Sequence, residues 1–273
     1  MKLAFNSWMY SSFPSWLPAY PIEEVIHRLA NIGYDGIEIG AASPVAYPED
    51  LDPKRREEIK KLLISKGIVV SSILPAPGGG PGYNVASPCL KERERSIKYY
   101  KDCIDLAHDL NTKVVLYVAG WQIFGVSYKE AWTWSKECLF ECAKYALPKG
   151  VLIAVEPTPA DSNLIETADD ALNLMEAANM ENVKVMFDTF HVLYRNDIMS
   201  DYAKRMGNNL INVHISDLDR LPPGSKSDFR PLIESLKEVG YQGYLTMEIG
   251  YGNRNNDPDV FARKSLEYLK SII

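Results

Sequence analysis

The chain has 273 residues, 46% hydrophobic and 24% charged, which is ordinary for a soluble globular protein and leaves room for one large α/β barrel or two smaller domains. Its net charge of −6 and pI near 5.4 argue against a general attraction to nucleic acid phosphates or anionic membranes and suit a neutral small ligand. MKLAFNSW at the N-terminus carries no apolar signal core, no run approaches a membrane span, and Cys89, Cys103, Cys138 and Cys142 form no CxxC pair, so a cytoplasmic protein with reduced thiols is expected.

Apolar runs of strand length alternate with amphipathic runs of helix length in eight rounds. LAFN (3–6) is the first strand, and PIEEVIHRLANIG is a helix with Pro21 in its first turn, Ile22, Val25, Ile26 and Leu29 on one face, and Gly33 as terminator. YDGIEIG is the second strand, DPKRREEIKKLLISKG the next helix, and IVVSSI the third strand. The loop after it contains PGGGPG (77–82), which lacks the GxGxxG spacing of a dinucleotide turn and reads as a mobile loop over a barrel mouth. A helix over about 87–110 leads to KVVLYV, a second over SYKEAWTWSKECLFECAKYALPKG to VLIAVE, and TADDALNLMEAAN to VKVMFD. A helix near 198–207 precedes LINVHI, FRPLIESLKEVG precedes YLTMEI, and PDVFARKSLEYLKSI closes the chain. Unbroken strand–helix alternation predicts a parallel sheet, and eight rounds in this length predict a single closed (β/α)8 TIM barrel over 1–273 rather than an open doubly wound sheet.

Four consecutive strands finish on a metal-ligand type: VLIAVE on Glu156, VKVMFD on Asp188, LINVHI with His214, and YLTMEIG with Glu248. A strand-end acid alone is more often a cap or an ion-pair partner. Three acids converging on one pocket, however, repel each other unless a cation lies between them. The oxygen-dominated set suits Mn²⁺ first, with Co²⁺, Mg²⁺ or Zn²⁺ as alternatives. His191 stands three residues after Asp188, where the strand hands over to a loop, so both can face one polar pocket. Trp8 and Trp121, just beyond the first and fourth strands, are candidate apolar walls, although packing explains them equally well.

GYDGIEIG, VEPTPADSN, FDTFH, VHISDLDR and GYQGYLTMEIG resemble, in order and spacing, the sugar isomerase and epimerase family of xylose-isomerase-like barrels. Within it the chain looks most like the ketose 3-epimerase branch of tagatose, psicose and fructoselysine epimerases. The resemblance makes Glu156, Asp188, His214 and Glu248 the metal ligands and Glu156 and Glu248 the acid and base. It makes His191 and Arg220 contacts to the sugar oxygens; Trp121, by its place beyond the fourth strand, is the candidate apolar contact to the substrate. The competing assignment for Arg220 is a surface ion pair with Asp217 or Asp219, and for His191 a buried, hydrogen-bonded imidazole.

Two departures from that branch bear on the substrate. Ser162 stands where the tagatose and psicose enzymes carry a glutamate, and Lys226 where many relatives have a glycine. The chemistry the resemblance implies is removal of the C3 proton of a ketose, a cis-enediolate whose charge a divalent cation stabilises, and return of a proton from the opposite face. Alternatives on the same residues are an aldose–ketose isomerase of hydroxypyruvate or inosose type and a keto-sugar dehydratase. A nuclease of the abasic-site type needs more histidines than the four present and a basic groove. A small-molecule sugar is the expected substrate, with no nucleic acid or membrane partner, and a homo-oligomer, dimer or tetramer, is the family expectation.

Overall fold

The computed structural model describes residues 1–10, 20–75, 80, 82–250 and 256–273. Eight parallel strands close into a barrel in sequence order: β1 (Lys2–Asn6), β2 (Gly36–Gly40), β3 (Val69–Leu74), β4 (Val114–Val118), β5 (Leu152–Glu156), β6 (Val183–Asp188), β7 (Leu210–Ile215) and β8 (Tyr244–Met247). Around it lie α1 (Ile22–Ile32), α2 (Pro53–Lys66), α3 (Leu90–Asp109), α4 (Tyr128–Ala146), α5 (Ala168–Ala178), α6 (Thr189–Tyr194), α7 (Met199–Met206), α8 (Arg230–Glu238) and α9 (Pro258–Ile272). Among the described residues no helix is long and apolar enough to cross a membrane. Most of the glycine-rich 77–82 loop lies outside the described residues.

The helices start and stop where their end residues dictate. Asp52 caps α2 by accepting the Arg55 N–H, Ser127 and Glu130 form a reciprocal capping box on α4, and Thr167 and Asp170 do the same on α5. Gly33 and Gly67 close α1 and α2 in the left-handed region, which costs a residue without a Cβ little. The outward strand residues and inward helix faces form one continuous core, including Phe5, Ile37, Ile73, Val115, Ile153, Phe187 and Val213. Inside the barrel a smaller apolar plug, Leu74, Leu116, Ala154 and Met186, lies among polar residues.

Two irregularities set which side chains reach that interior. β6 and β7 pair Val185 with Leu210 but then Met186 with Asn212, so Ile211 is an extra residue in β7. Because faces alternate along a strand, this insertion lets Leu210 join the outer core while His214 turns inward. The same shift occurs between β2 and β3, where Ile37 pairs with Val70 and Glu38 with Ser72. β3 and β4 are in register only at Ile73 and Val115, whereas β4 and β5 run in register from Val114 and Leu152 to Val118 and Glu156.

Differences from the expected elements are few. The predicted helix over about 87–110 begins at Leu90, because Pro88 and the turn before it precede the first helical hydrogen bonds. The loop expected after Asp188 is the short helix α6, which Asp188 itself caps through Oδ1 and the Phe190 N–H at 2.8 Å. Six residues are too few for a 3.6-residue period to show.

Candidate metal centre

The strand ends bring the four predicted ligands to one place. Glu156 and Asp188 are the last residues of β5 and β6, His214 is opposite Asp188 in register, and Glu248 follows β8 directly. All four are buried. His214 Nδ1 lies 3.1 Å from Glu248 Oε2 and 3.7 Å from Glu156 Oε1. Donor atoms of Asp188, His214 and Glu248 lie within 4.8 Å of one another, and so do those of Glu156, Asp188 and His191. Two ligand atoms that each stand about 2.0–2.3 Å from a common ion are separated by at most about 4.6 Å, so the spacing is close to what a coordinated cation needs. Three carboxylates and one imidazole are also the donor chemistry of a hard divalent ion, and the residues fit one.

Burial and mutual repulsion shape the charges here. Burial pushes Glu156 well above the usual carboxylate range, and Glu248 and Asp188 add to this against the pull of His214. Asp188 is raised to about 6, mainly by burial, with Arg220 pulling it back. Burial acts on Glu248 in the same sense, but Arg220 and His214 outweigh it and hold this carboxyl below its ordinary value. Burial would lower His214, yet Glu38 and Glu248 on its two nitrogens raise it well above the ordinary imidazole value.

Arg220 reaches the centre rather than either acid of its own loop. Its guanidinium contacts Asp188 Oδ2 and lies 2.9 Å from Glu248 Oε2, with its plane over the Phe190 ring at 4.2 Å. Asp219 pairs instead with Lys226 at 2.6 Å, and Asp217 binds the loop backbone. Asp219 and Arg220 both take positive φ, at 60° and 57°, a conformation costly for side-chain-bearing residues. The loop holds it through Asp217 and through the Gly250 N–H donating to the Arg220 carbonyl at 2.7 Å.

His191 is buried, and both descriptions of it hold: it is hydrogen-bonded and it faces the centre. Its Nδ1 accepts from the Ala160 N–H at 3.4 Å, which leaves the proton on Nε2, 3.4 Å from Asp161 Oδ2. Burial and then Arg220 lower its pKa to about 3, so the ring is neutral at ordinary pH. Trp121 sits in the loop after β4, more than a third exposed, its backbone N–H and carbonyl both bound by the Asn84 side chain. Trp8 packs partly against the barrel plug. Ser162 is buried and paired with Thr158 Oγ1 at 2.7 Å.

Two residues of the site escaped the sequence reading. Glu38, on β2, is wholly buried and lies against His214 Nε2, a contact 176 residues away in the chain. Its signal was an acid in the middle of the apolar run GIEIG. Asp161, whose side chain is 64% exposed, sits between His191 Nε2 and Arg220, 3.8 Å from the guanidinium. Nothing in VEPTPADSN separates it from a loop acid. A cavity of about 520 Å³ lined by Arg56, Lys60, His108, Lys113 and Lys149 shares no residue with this centre.

A closed barrel with its buried acids and histidine at the C-terminal strand ends is the arrangement in which TIM-barrel enzymes carry their chemistry. The chain belongs to the xylose isomerase-like TIM barrel family, whose profile matches residues 26–272. It is 28% identical over 260 residues to a fructoselysine 3-epimerase of Shigella flexneri, spanning 93% of this chain and 94% of that protein. To a D-psicose 3-epimerase of Ruminiclostridium cellulolyticum it is 29% identical over 233 residues, 82% of this chain and 76% of the other. A crystal structure of D-psicose 3-epimerase with D-tagatose from Clostridium cellulolyticum H10 shares the fold at a TM-score of 0.83 and 22% identity, covering 100% of this chain and 99% of that one.

Proposed function

We propose that this chain is a divalent-metal-dependent ketose 3-epimerase. Similarity over nearly the full length to proteins named fructoselysine and D-psicose 3-epimerase supports the reading. The observation that carries it is the pair of buried glutamates, Glu156 and Glu248, both facing His214 Nδ1 from strands separated by β6 and β7.

Glu156, Asp188, His214 and Glu248 would hold the ion, with Mn²⁺ the first candidate by donor type and Co²⁺, Mg²⁺ and Zn²⁺ behind it. When bound, such an ion supplies Lewis-acid stabilisation of negative charge developing on the sugar. The protein side follows from the residues. One glutamate removes the proton from C3, the bonding pair moves toward C2 and its oxygen, and the other glutamate delivers a proton to the opposite face, inverting C3. The Arg220 fork and the His191 Nε2–H donate to sugar oxygens, and Asp161, beside both, is an acceptor for a hydroxyl or amine at the open end, where Ser162 is turned away to Thr158.

Incubation with a panel of ketoses and Amadori compounds and Mn²⁺ in deuterated water tests this. Deuterium at C3 with inverted configuration is expected, and Glu156→Gln and Glu248→Gln should each abolish it. Label at C1 would instead identify an aldose–ketose isomerase, and loss of water a dehydratase.

A further inference from the structure

Glu38 makes more contacts than a filler of barrel space needs. Its carboxylate accepts from Asn6 Nδ2 at 2.8 Å and Ser72 Oγ at 2.6 Å, and it lies 2.9 and 3.0 Å from His214 Nε2 through its two oxygens. Asn6, Glu38 and Ser72 are side by side because β1, β2 and β3 pair Asn6 with Glu38 and Glu38 with Ser72. All four residues are wholly buried. Two donors, Asn6 and Ser72, and one imidazole nitrogen therefore converge on a carboxylate, a group that can only accept when ionised.

The imidazole has two nitrogens, and Glu38 occupies one of them. In a ring coordinated through one nitrogen the other keeps its proton, and with Nε2–H donating to Glu38 the coordinating lone pair is that of Nδ1, the nitrogen that faces Glu156 and Glu248. We infer that Glu38 is a positioning residue which, held by Asn6 and Ser72, fixes the tautomer and the ring orientation of His214 so that Nδ1 is the metal ligand. The inference rests on the metal-centre reading above and adds a residue from the opposite half of the barrel. A carboxylate on the far nitrogen also makes the ligating nitrogen more basic, so removing it weakens metal binding as well as orientation.

The test measures metal binding, not turnover. Mn²⁺ binding is followed by calorimetry and by the electron paramagnetic resonance signal of free Mn²⁺ for the wild type, Glu38→Gln and Ser72→Ala. The dissociation constant is expected to rise about 10–100-fold in Glu38→Gln, and by less in Ser72→Ala, where Asn6 still holds the carboxylate. In parallel, long-range proton–nitrogen spectra of ¹⁵N-histidine-labelled wild type loaded with diamagnetic Zn²⁺ report the tautomer directly, with four histidines in the chain to assign. The His214 proton is expected on Nε2. A proton on Nδ1, or an unchanged Mn²⁺ affinity in folded Glu38→Gln, overturns the inference and leaves the metal centre standing. A wild type that binds neither ion overturns both. Should Glu38→Gln not fold, the wild-type spectrum decides alone.

Discussion

Asp217 shows how much of this site depends on a residue that never touches it. It is wholly buried and accepts from the backbone of Leu218, Lys226 and Ser227 and from the Ser227 hydroxyl at 2.7–2.9 Å, knitting together the loop that presents Arg220 in its strained conformation. Burial alone would raise its pKa, but these donors outweigh it and leave the carboxyl below its ordinary value. A lowered folded-state pKa means the stabilisation is fully present above the unfolded value of about 4 and is lost as pH falls through the folded one. Asp217→Asn should therefore cost about 1–3 kcal/mol in urea unfolding at pH 7, and the gap to the wild type should narrow at pH 3. Its ketose KM should rise more than its kcat falls if Arg220 is, as proposed, the sugar contact; equal unfolding energies at pH 7 would show that the loop needs no such brace. Glu38 and Asp161 were hidden at this scale for the same reason. Their roles are contacts with residues far along the chain, and a residue type read in isolation carries no record of its partner.

At the scale of elements most of the architecture was legible. Prolines in first turns, glycines at helix ends and the change from a 3.6-residue to a two-residue apolar period mark almost every boundary among the described residues, and α6 is too short to show it. The bulge at Ile211 was not legible, because LINVHI reads as a regular strand and the extra residue exists only relative to β6. Close approach between elements was equally invisible. Gly40, at the end of β2, lies under the turn Ser7–Tyr10, its N–H donates to Ser7 Oγ at 3.0 Å, and a Cβ there would meet Trp8 Cβ at 2.5 Å. Gly40→Ala should push that turn off the sheet and destabilise the protein by about 1–3 kcal/mol, measurable as a lower denaturation midpoint with unchanged slope.

For the whole molecule, the proposed ligands stand on β5, β6 and β7 and directly after β8, while Glu38 comes from β2, so the centre is complete only in the closed barrel. A bound ion would thus stabilise the entire fold. Treatment with a chelator is expected to lower the melting temperature, and Mn²⁺ at about 100 times its dissociation constant to restore about 2.7 kcal/mol, roughly 5–10 °C for a chain of this size. A melting temperature indifferent to both would count against the centre.

The single point of register between β3 and β4 gives this cylinder a seam. A closed ring has no free edge, so the way it yields under native fluctuation is to part where the rungs are fewest. Amide protons of Val114 and the residues facing it across the gap should trade with solvent deuterium sooner than those between β4 and β5. The arc from β5 to β8 would stay shut while this seam opens.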